Sequence, residues 1–349
     1  MQIKEVAQQL HTTARTIRYY EEKGLIHPDK DPENDYRIFS EQDVMRLTTI
    51  LALREVEMPL EKIKLLLQDE KMSIGDYLNV QRAALFEKWL ELHDMIQTID
   101  EMVRQTNAGS YSIEGIHQLA THLHHLKAMR KGWEDRWHFD KQADTYDRSI
   151  KKAGHTFNIH ASYDEALAMV VDEVNVRPND IVLDIGIGTG NLGAMFLEKG
   201  ATVIGVDQSD KMLATCHQKH PAIETRKGHF LALPLVDQQV DAIVSSYALH
   251  HLPDHEKLLA FQEMHRVLKP NGQICIADLM FIDGKHREKV IEKYRESGNM
   301  EAILSIEDEY FADQTLLTTW LRVNGFHVRE HRFHGFLGLI YARRESGGN

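Results

Sequence analysis

Apolar positions along the chain follow two different rhythms. In the first half they recur at helical spacing, and beyond residue 177 they gather into short runs. Ile3, Val6, Ala7 and Leu10 mark one face of a short helix. Thr13–Lys23 reads as a second helix, with Thr12 or Thr13 as its cap and Gly24 as its stop. Leu25–Phe39 holds Pro28, Pro32 and an Asn34-Asp35 turn, and reads as two short extended pieces forming a β-wing. Ser40 caps a helix running through Val56, and Pro59 opens another. Farther on, Leu78, Leu85, Leu92 and Ile99 recur every seven residues, with Trp89, Ile96 and Val103 as a second row. Such a double row predicts a coiled-coil helix of about four heptads.

No proline occurs between Leu60 and Arg177, which suits a mostly helical stretch. After it come the runs Ile181–Ile185, Thr202–Val206, Ala242–Ser246 and Gln273–Ala277, alternating with helical stretches at βαβ spacing. An all-α first part and an α/β second part follow, in a multi-domain chain of 349 residues. The net charge of −12 speaks against a nucleic-acid partner, but it averages over the chain. Val6–Tyr20 holds Arg15 and Arg18 and no acid, and DNA responds to the local patch. The two cysteines, Cys216 and Cys275, exclude a disulfide scaffold and are expected to be buried and inert. Neither a signal peptide nor an 18-residue apolar run is evident, so a cytoplasmic protein with no membrane partner is expected. His117, His122, His124 and His125 cluster, but only three share a helix face and no cysteine or acid triad joins them. A solvated linker helix is expected there, and no metal site.

Two short helices joined by a three-residue turn make a helix-turn-helix, whose second helix enters the DNA major groove. The string RYYEEKGL at Arg18–Leu25, YRIF at Tyr36–Phe39 and the Met58-Pro59-Leu60-Glu61 helix entry resemble the winged helix-turn-helix of the MerR family of bacterial regulators. The resemblance spans residues 1–70. Arg15 and Arg18, three apart on the second helix, share a face that suits contacts to guanine or phosphate. The resemblance implies that Arg18 and Tyr20 lie near DNA and that Arg37 contacts phosphate from the wing, with Tyr19 as good a candidate for the core. It also implies a homodimer held through residues 76–105, a pseudo-palindromic double-stranded DNA site, and RNA polymerase as a partner.

Asp180–Gly193 reads DIVLDIGIGTGNLG, a strand followed by a glycine turn that lets backbone N–H groups approach a ligand. Gly188-x-Gly190-x-x-Gly193 also fits a dinucleotide loop, and Asp207 at the next strand end can accept from the ribose of either NAD or S-adenosylmethionine. Asp184 before the loop, the string DAIVSSYALHHLPD, the later VLKPNGQICIAD and the preceding HFDKQADTYDRSI together resemble a class I S-adenosylmethionine-dependent methyltransferase. That resemblance covers 139–345, after a coiled-coil segment at 71–108 and a linker at 109–138. The expected architecture is therefore a winged helix-turn-helix with a long helix, followed by a Rossmann-like α/β domain.

The resemblance assigns Asp184, Gly186, Gly188 and Gly190 to the methionine portion of the cofactor, Asp207 to its ribose, and Gln208 and Met212 to the adenine. Tyr146 would close over the amino-acid end. Where the family usually has Gly-Asp, this chain has Gly228-His229, and a neutral imidazole accepts from the adenine amine in only one tautomer. Methyl transfer is largely a positioning task. If the acceptor carries a proton, His250 or His251 would take it; one of the two is expected against the sheet, and His250 is taken as the base. The combination implies a DNA-binding regulator whose effector part methylates a small molecule. The alternative is a non-enzymatic sensor of S-adenosylmethionine or its demethylated product. A DNA methyltransferase is disfavoured, since no Asn/Asp-Pro-Pro-Tyr or Pro-Cys motif is present.

Overall fold

The computed structural model describes all residues except 32–35, 69–73, 109–111, 132–137, 151–156 and 345–349. The Asn34-Asp35 turn and Gly109 and Gly132 of the linker lie outside the described residues. The chain divides into two compact units, Met1–Arg82 and Ala83–Asn349.

The first unit begins with α1 (Ile3–Gln9) and α2 (Ala14–Glu22). Thr13 caps α2 by accepting from the Thr16 amide at 3.1 Å. Gly24, at φ +67°, ends it by turning where a side chain would be strained. Strands β1 (Asp29–Lys30) and β2 (Arg37–Ile38) pair antiparallel as the wing. Ser40 and Asp43 form a reciprocal capping box at the start of α3 (Glu41–Glu55), and α4 (Leu60–Gln68) follows Pro59. Val6, Ile17, Leu25, Ile26, Leu47, Ile50 and Ile63 pack into one core. Tyr20 belongs to that core at 5% exposure, whereas Tyr19 is 42% exposed. The expectation that Tyr20 faces DNA is therefore corrected. Three residues beyond Ile17, it shares the apolar stripe of α2, and the neighbouring ring points outward.

Helix α5 (Ile74–Asn107) begins in the first unit and runs on into the second. Leu85, Leu92, Ile96, Ile99 and Val103 are exposed along it. Trp89 departs from the expected seam: its ring lies under the Arg266 guanidinium of its own chain, 4.9 Å from the centroid. Helix α6 (Ile113–Lys131) follows, and its Leu126 is buried in a core of the second unit. His117, His122, His124 and His125 are exposed on α6. Among the described residues no three His, Cys, Asp or Glu side chains gather as metal ligands.

The rest of the second unit runs α7 (Phe139–Gln142), α8 (Tyr146–Ser149), α9 (Tyr163–Glu173), β3 (Ile181–Ile185), α10 (Asn191–Glu198), β4 (Thr202–Asp207), α11 (Asp210–Lys219), β5 (Glu224–Lys227), β6 (Val240–Ser246), a 3-10 turn at Leu249–His251, α12 (Asp254–Val267), β7 (Leu268–Phe281), α13 (Gly284–Glu296), α14 (Met300–Asp308), β8 (Ala312–Asp313), α15 (Gln314–Val323), β9 (Phe326–His334) and β10 (Leu337–Arg344). The sheet order is β5-β4-β3-β6-β7-β10-β9, with β8 beside β7. The first five strands pair parallel, and β10 and β9 antiparallel. Val182, Val203, Val244 and Cys275 fill one face of the sheet, and Leu183, Ile204, Ile243 and Ile274 the other. Burial on both faces explains why these strands read as unbroken apolar runs. Strand order reverses between β3 and β6, and that crevice is where open α/β sheets bind ligands.

Candidate functional site

The loop after β3 is built by glycine. Gly186 and Gly188 stand at φ +71° and +54°, where other residues are strained. A methyl group on Gly186 would overlap the Ala248 side chain, while one on Gly188 would meet no atom within 4 Å. Gly188 therefore leaves open room for a ligand, and Gly186 lets two loops touch. The two Asp207 oxygens accept backbone N–H bonds from Gly188 and Ser209, each at 2.9 Å. One carboxylate thus fixes both loops.

These loops wall an open-sided cavity at the carboxyl ends of β3 and β4. Of the residues expected to meet a cofactor, Tyr146, Gly186, Gly188, Asp207, Gln208, Met212 and His229 line it. Asp184 and Gly190 do not. Asp184 is buried beside Gly193, where a side chain on the glycine would crowd its Oδ2 to 3.2 Å. That oxygen has no hydrogen-bond partner, and burial pushes the carboxyl up to about 8, against the Gly193 amide. Gly190 caps α10, facing Cys216 and His220. Both cysteines are buried; burial pushes the Cys216 thiol up to about 12 and raises that of Cys275 as well.

His229 takes the Leu231 N–H on Nδ1 at 3.3 Å, which places the proton of the neutral ring on Nε2. Its other ring nitrogen is then a donor.

Helices α7 and α8 cover the cavity, with Phe139 and Tyr146 in its lining. Two aspartates latch them. Asp140 accepts from Ser209 Oγ at 2.6 Å, and the bond lowers its pKa. Asp147 accepts from Thr189 Oγ1 at 2.6 Å and Lys219 Nζ at 2.7 Å. Burial raises the Asp147 pKa, but the Lys219, Thr189 and Asn191 bonds outweigh it. The latches are legible only as two acids seven residues apart in HFDKQADTYD.

Tyr247, Ala248 and His251 also line the cavity. Tyr247 sits at φ +49°, a strained setting for a bulky residue, and its buried hydroxyl has no hydrogen-bond partner. In the 3-10 turn the two imidazoles lie side by side, ring centres 4.0 Å apart, but have different surroundings. His251 lies edge-on to Phe139, ring centres 5.0 Å apart, and burial holds its pKa well below the usual value. His250 is 2% exposed and gives Nδ1–H to Asp278 at 2.5 Å. It does not line the cavity, so His250 as the base is corrected: it is the member of the pair held against the sheet. Asp278, which sequence reasoning gave no role, also accepts from the amides of Ala248, Leu249 and Leu279.

In the first unit, Arg15 and Arg18 are exposed on α2. Arg37 Nε donates to both Glu21 oxygens, at 2.9 and 2.7 Å. This ion pair braces the wing on α2 through the Arg37 Nε.

A mostly parallel seven-strand path ending in an antiparallel pair, with a glycine cradle and a carboxylate at the next strand end, defines a class I methyltransferase fold. Comparison with known proteins agrees. Residues 1–70 match the MerR HTH family of regulatory proteins, and residues 182–272 match a methyltransferase domain. An uncharacterized methyltransferase of Oceanobacillus iheyensis is 32% identical over 207 residues, 59% of this chain and 95% of the relative. One from Geobacillus sp. WCH70 is 32% identical over 209 residues, covering 59% and 96%. The solved magnesium protoporphyrin IX methyltransferase of Synechocystis PCC 6803, with bound SAH, is 19% identical, covering 60% of this chain and 98% of its own, at a TM-score of 0.46. The chain belongs to the class I S-adenosylmethionine-dependent methyltransferases, and it carries a MerR-type helix-turn-helix domain at its N-terminus. No described helix is long and apolar enough to cross a membrane.

Proposed function

We propose that this protein is a DNA-binding transcriptional regulator of MerR type whose effector part methylates a small molecule. The observation that supports the catalytic reading is that His251, a group able to take a proton, lines the same cavity as the glycine loop and Asp207. A sensor of the cofactor alone needs only the cradle. Bound S-adenosylmethionine supplies an electrophilic methyl group. Gly188 admits its methionine portion, Asp207 holds the ribose, and Gln208, Met212 and His229 enclose the adenine. Phe139 and Tyr146 exclude water when latched. His251 is neutral at physiological pH, the state that takes a proton from an acceptor hydroxyl or amine. The test is incubation of the full-length protein with labelled cofactor and a bacterial metabolite extract. A labelled small molecule is expected. Cofactor binding without any labelled product would transfer the reading to a sensor.

DNA recognition is assigned to Arg15 and Arg18 on α2. Duplexes selected from a random pool by the full-length chain should be pseudo-palindromic. Arg18→Ala should weaken binding to them and lower the slope of log affinity against log salt by about one. Arg37→Ala should weaken binding with less change of slope, because Glu21 already neutralises it. Unchanged mobility-shift titrations for both variants would remove this assignment.

Homodimerisation is assigned to the exposed row Leu78, Leu85, Leu92, Ile96, Ile99 and Val103 of α5. Leu85→Lys with Leu92→Lys places charges on a face that is exposed in the single chain, so the fold should survive. Sedimentation should then report a monomer, since two lysines in an apolar seam cost several kcal/mol, on the order of 2–7 each when unpaired. A dimer of unchanged stability would place the interface elsewhere.

A further inference from the structure

We propose that the stack of Arg266 on Trp89 couples occupancy of the cofactor cavity to the long helix α5. The inference deepens the preceding reading and rests on it, in that the cavity takes S-adenosylmethionine.

The loop between β5 and β6 has two sides. On one side Gly228, His229 and Phe230 line the cavity. Its continuation, Leu233–Leu235, is pinned from behind. Arg266 of α12 donates to the Leu235 carbonyl at 2.8 Å and to the Leu233 carbonyl at 3.2 Å. Arg226 donates to the Pro234 carbonyl at 2.8 Å. The Leu233 amide donates to Glu263, which in turn accepts from Arg266 at 2.8 Å. Three successive carbonyls and one amide are therefore fixed, two of the carbonyls to a single guanidinium.

A ligand that shifts Gly228–Phe230 cannot move the loop alone. Leu231, Leu233 and Leu235 are buried to 2% or less, and a close-packed interior transmits displacement rather than absorbing it. The planar guanidinium must tilt or slide with the carbonyls it holds. Its face lies on the Trp89 ring at 4.9 Å. Trp89 stacks in turn on His93, centroids 5.0 Å apart, and packs edge-on with Phe86 at 6.3 Å, both on α5. Burial disfavours the charge on Arg266, but Glu263 and Asp237 more than restore it. The contact is accordingly a cation over an indole face, whose strength depends on geometry. The same helix carries the exposed apolar row assigned to the dimer and begins at Ile74 in the DNA-binding unit. A change of cavity occupancy is thereby offered a physical route to the element that sets spacing in the dimer.

The test measures hydrogen exchange along α5 in the full-length chain, with and without saturating S-adenosylhomocysteine. Amides of residues 84–96 should change exchange rate by about fivefold or more in the wild type, the low end of ordinary allosteric coupling. Trp89→Ala should abolish that response while calorimetry shows nearly unchanged affinity for S-adenosylhomocysteine, and Trp89→Phe should restore part of it. A wild-type helix that ignores the bound ligand, or a Trp89→Ala helix that responds like wild type, would overturn the proposal alone. A wild-type chain that binds no S-adenosylhomocysteine would overturn the cofactor reading, and the proposal with it.

Discussion

Gly188→Val should abolish binding of S-adenosylmethionine with the fold retained, while Gly186→Ala, a smaller change two residues away, should cost the fold itself. Both glycines have positive φ, so each substitution carries the left-handed penalty of about 1–2 kcal/mol. Their surroundings set them apart. At Gly186 the new methyl group overlaps Ala248, whose amide is tied to Asp278 at 2.9 Å. The Gly186 amide itself donates to the Val206 carbonyl at 2.8 Å. Neither side can retreat without breaking a buried bond. At Gly188 the same methyl group meets only open space beside the cavity, and the Gly188 amide stays bonded to Asp207. Valine fills the room the ligand needs. Forcing a few extra methyl groups against a bound ligand costs roughly 3 kcal/mol, a loss of about 100-fold or more in affinity. Calorimetric titration read beside thermal unfolding separates the two outcomes. Wild-type affinity in Gly188→Val would remove the loop from the cofactor site.

The glycine cradle was legible because a backbone at positive φ restricts the residue type, so chemistry and sequence coincide at Gly186 and Gly188. Asp207 was legible because a polar residue ending an apolar parallel strand has few other uses. The misreadings share a different cause. Tyr19 and Tyr20, like His250 and His251, are adjacent pairs of one residue type. Which member faces inward depends on helical phase or on the hand of a 3-10 turn, and one residue of phase rotates a side chain by about 100°. Trp89 continued a heptad row, but periodicity cannot tell a partner helix from an intrachain cation. Asp278 was hidden by its setting within the run ICIADLMF, which reads as interior strand, so nothing marked the acid as a hub for three amides and an imidazole.

That hub carries the second large expectation. Asp278→Asn should destabilise the methyltransferase unit by about 3–5 kcal/mol, the usual cost of breaking a buried pair by removing one partner. Asparagine keeps the shape but presents an N–H₂ group where Asp278 Oδ2 accepts from Ala248 and Leu249, or where Oδ1 accepts from His250 and Leu279. At least two buried donors then lose their acceptor, at about 1–3 kcal/mol each. The same bonds hold Tyr247, Ala248 and His251 on the cavity, so ligand binding should weaken as well. The pH dependence fixes the cause. Burial opposes charge on both partners, but each partner's charge outweighs it, lowering the Asp278 pKa and raising that of His250. The Asp278 contribution is present above its ordinary 3.8 and is lost as pH falls through the lowered value. The His250 contribution is full below its ordinary 6.5 and is lost as pH rises through the raised value. Both are complete between those two ordinary values, and stability against urea should decline as pH climbs above 6.5 in the wild type. His250→Asn should remove that decline while sparing the amides, and so cost less than Asp278→Asn. A shared urea midpoint for wild type and Asp278→Asn, or an unaltered pH profile in His250→Asn, would show that the turn is held by something other than this carboxylate.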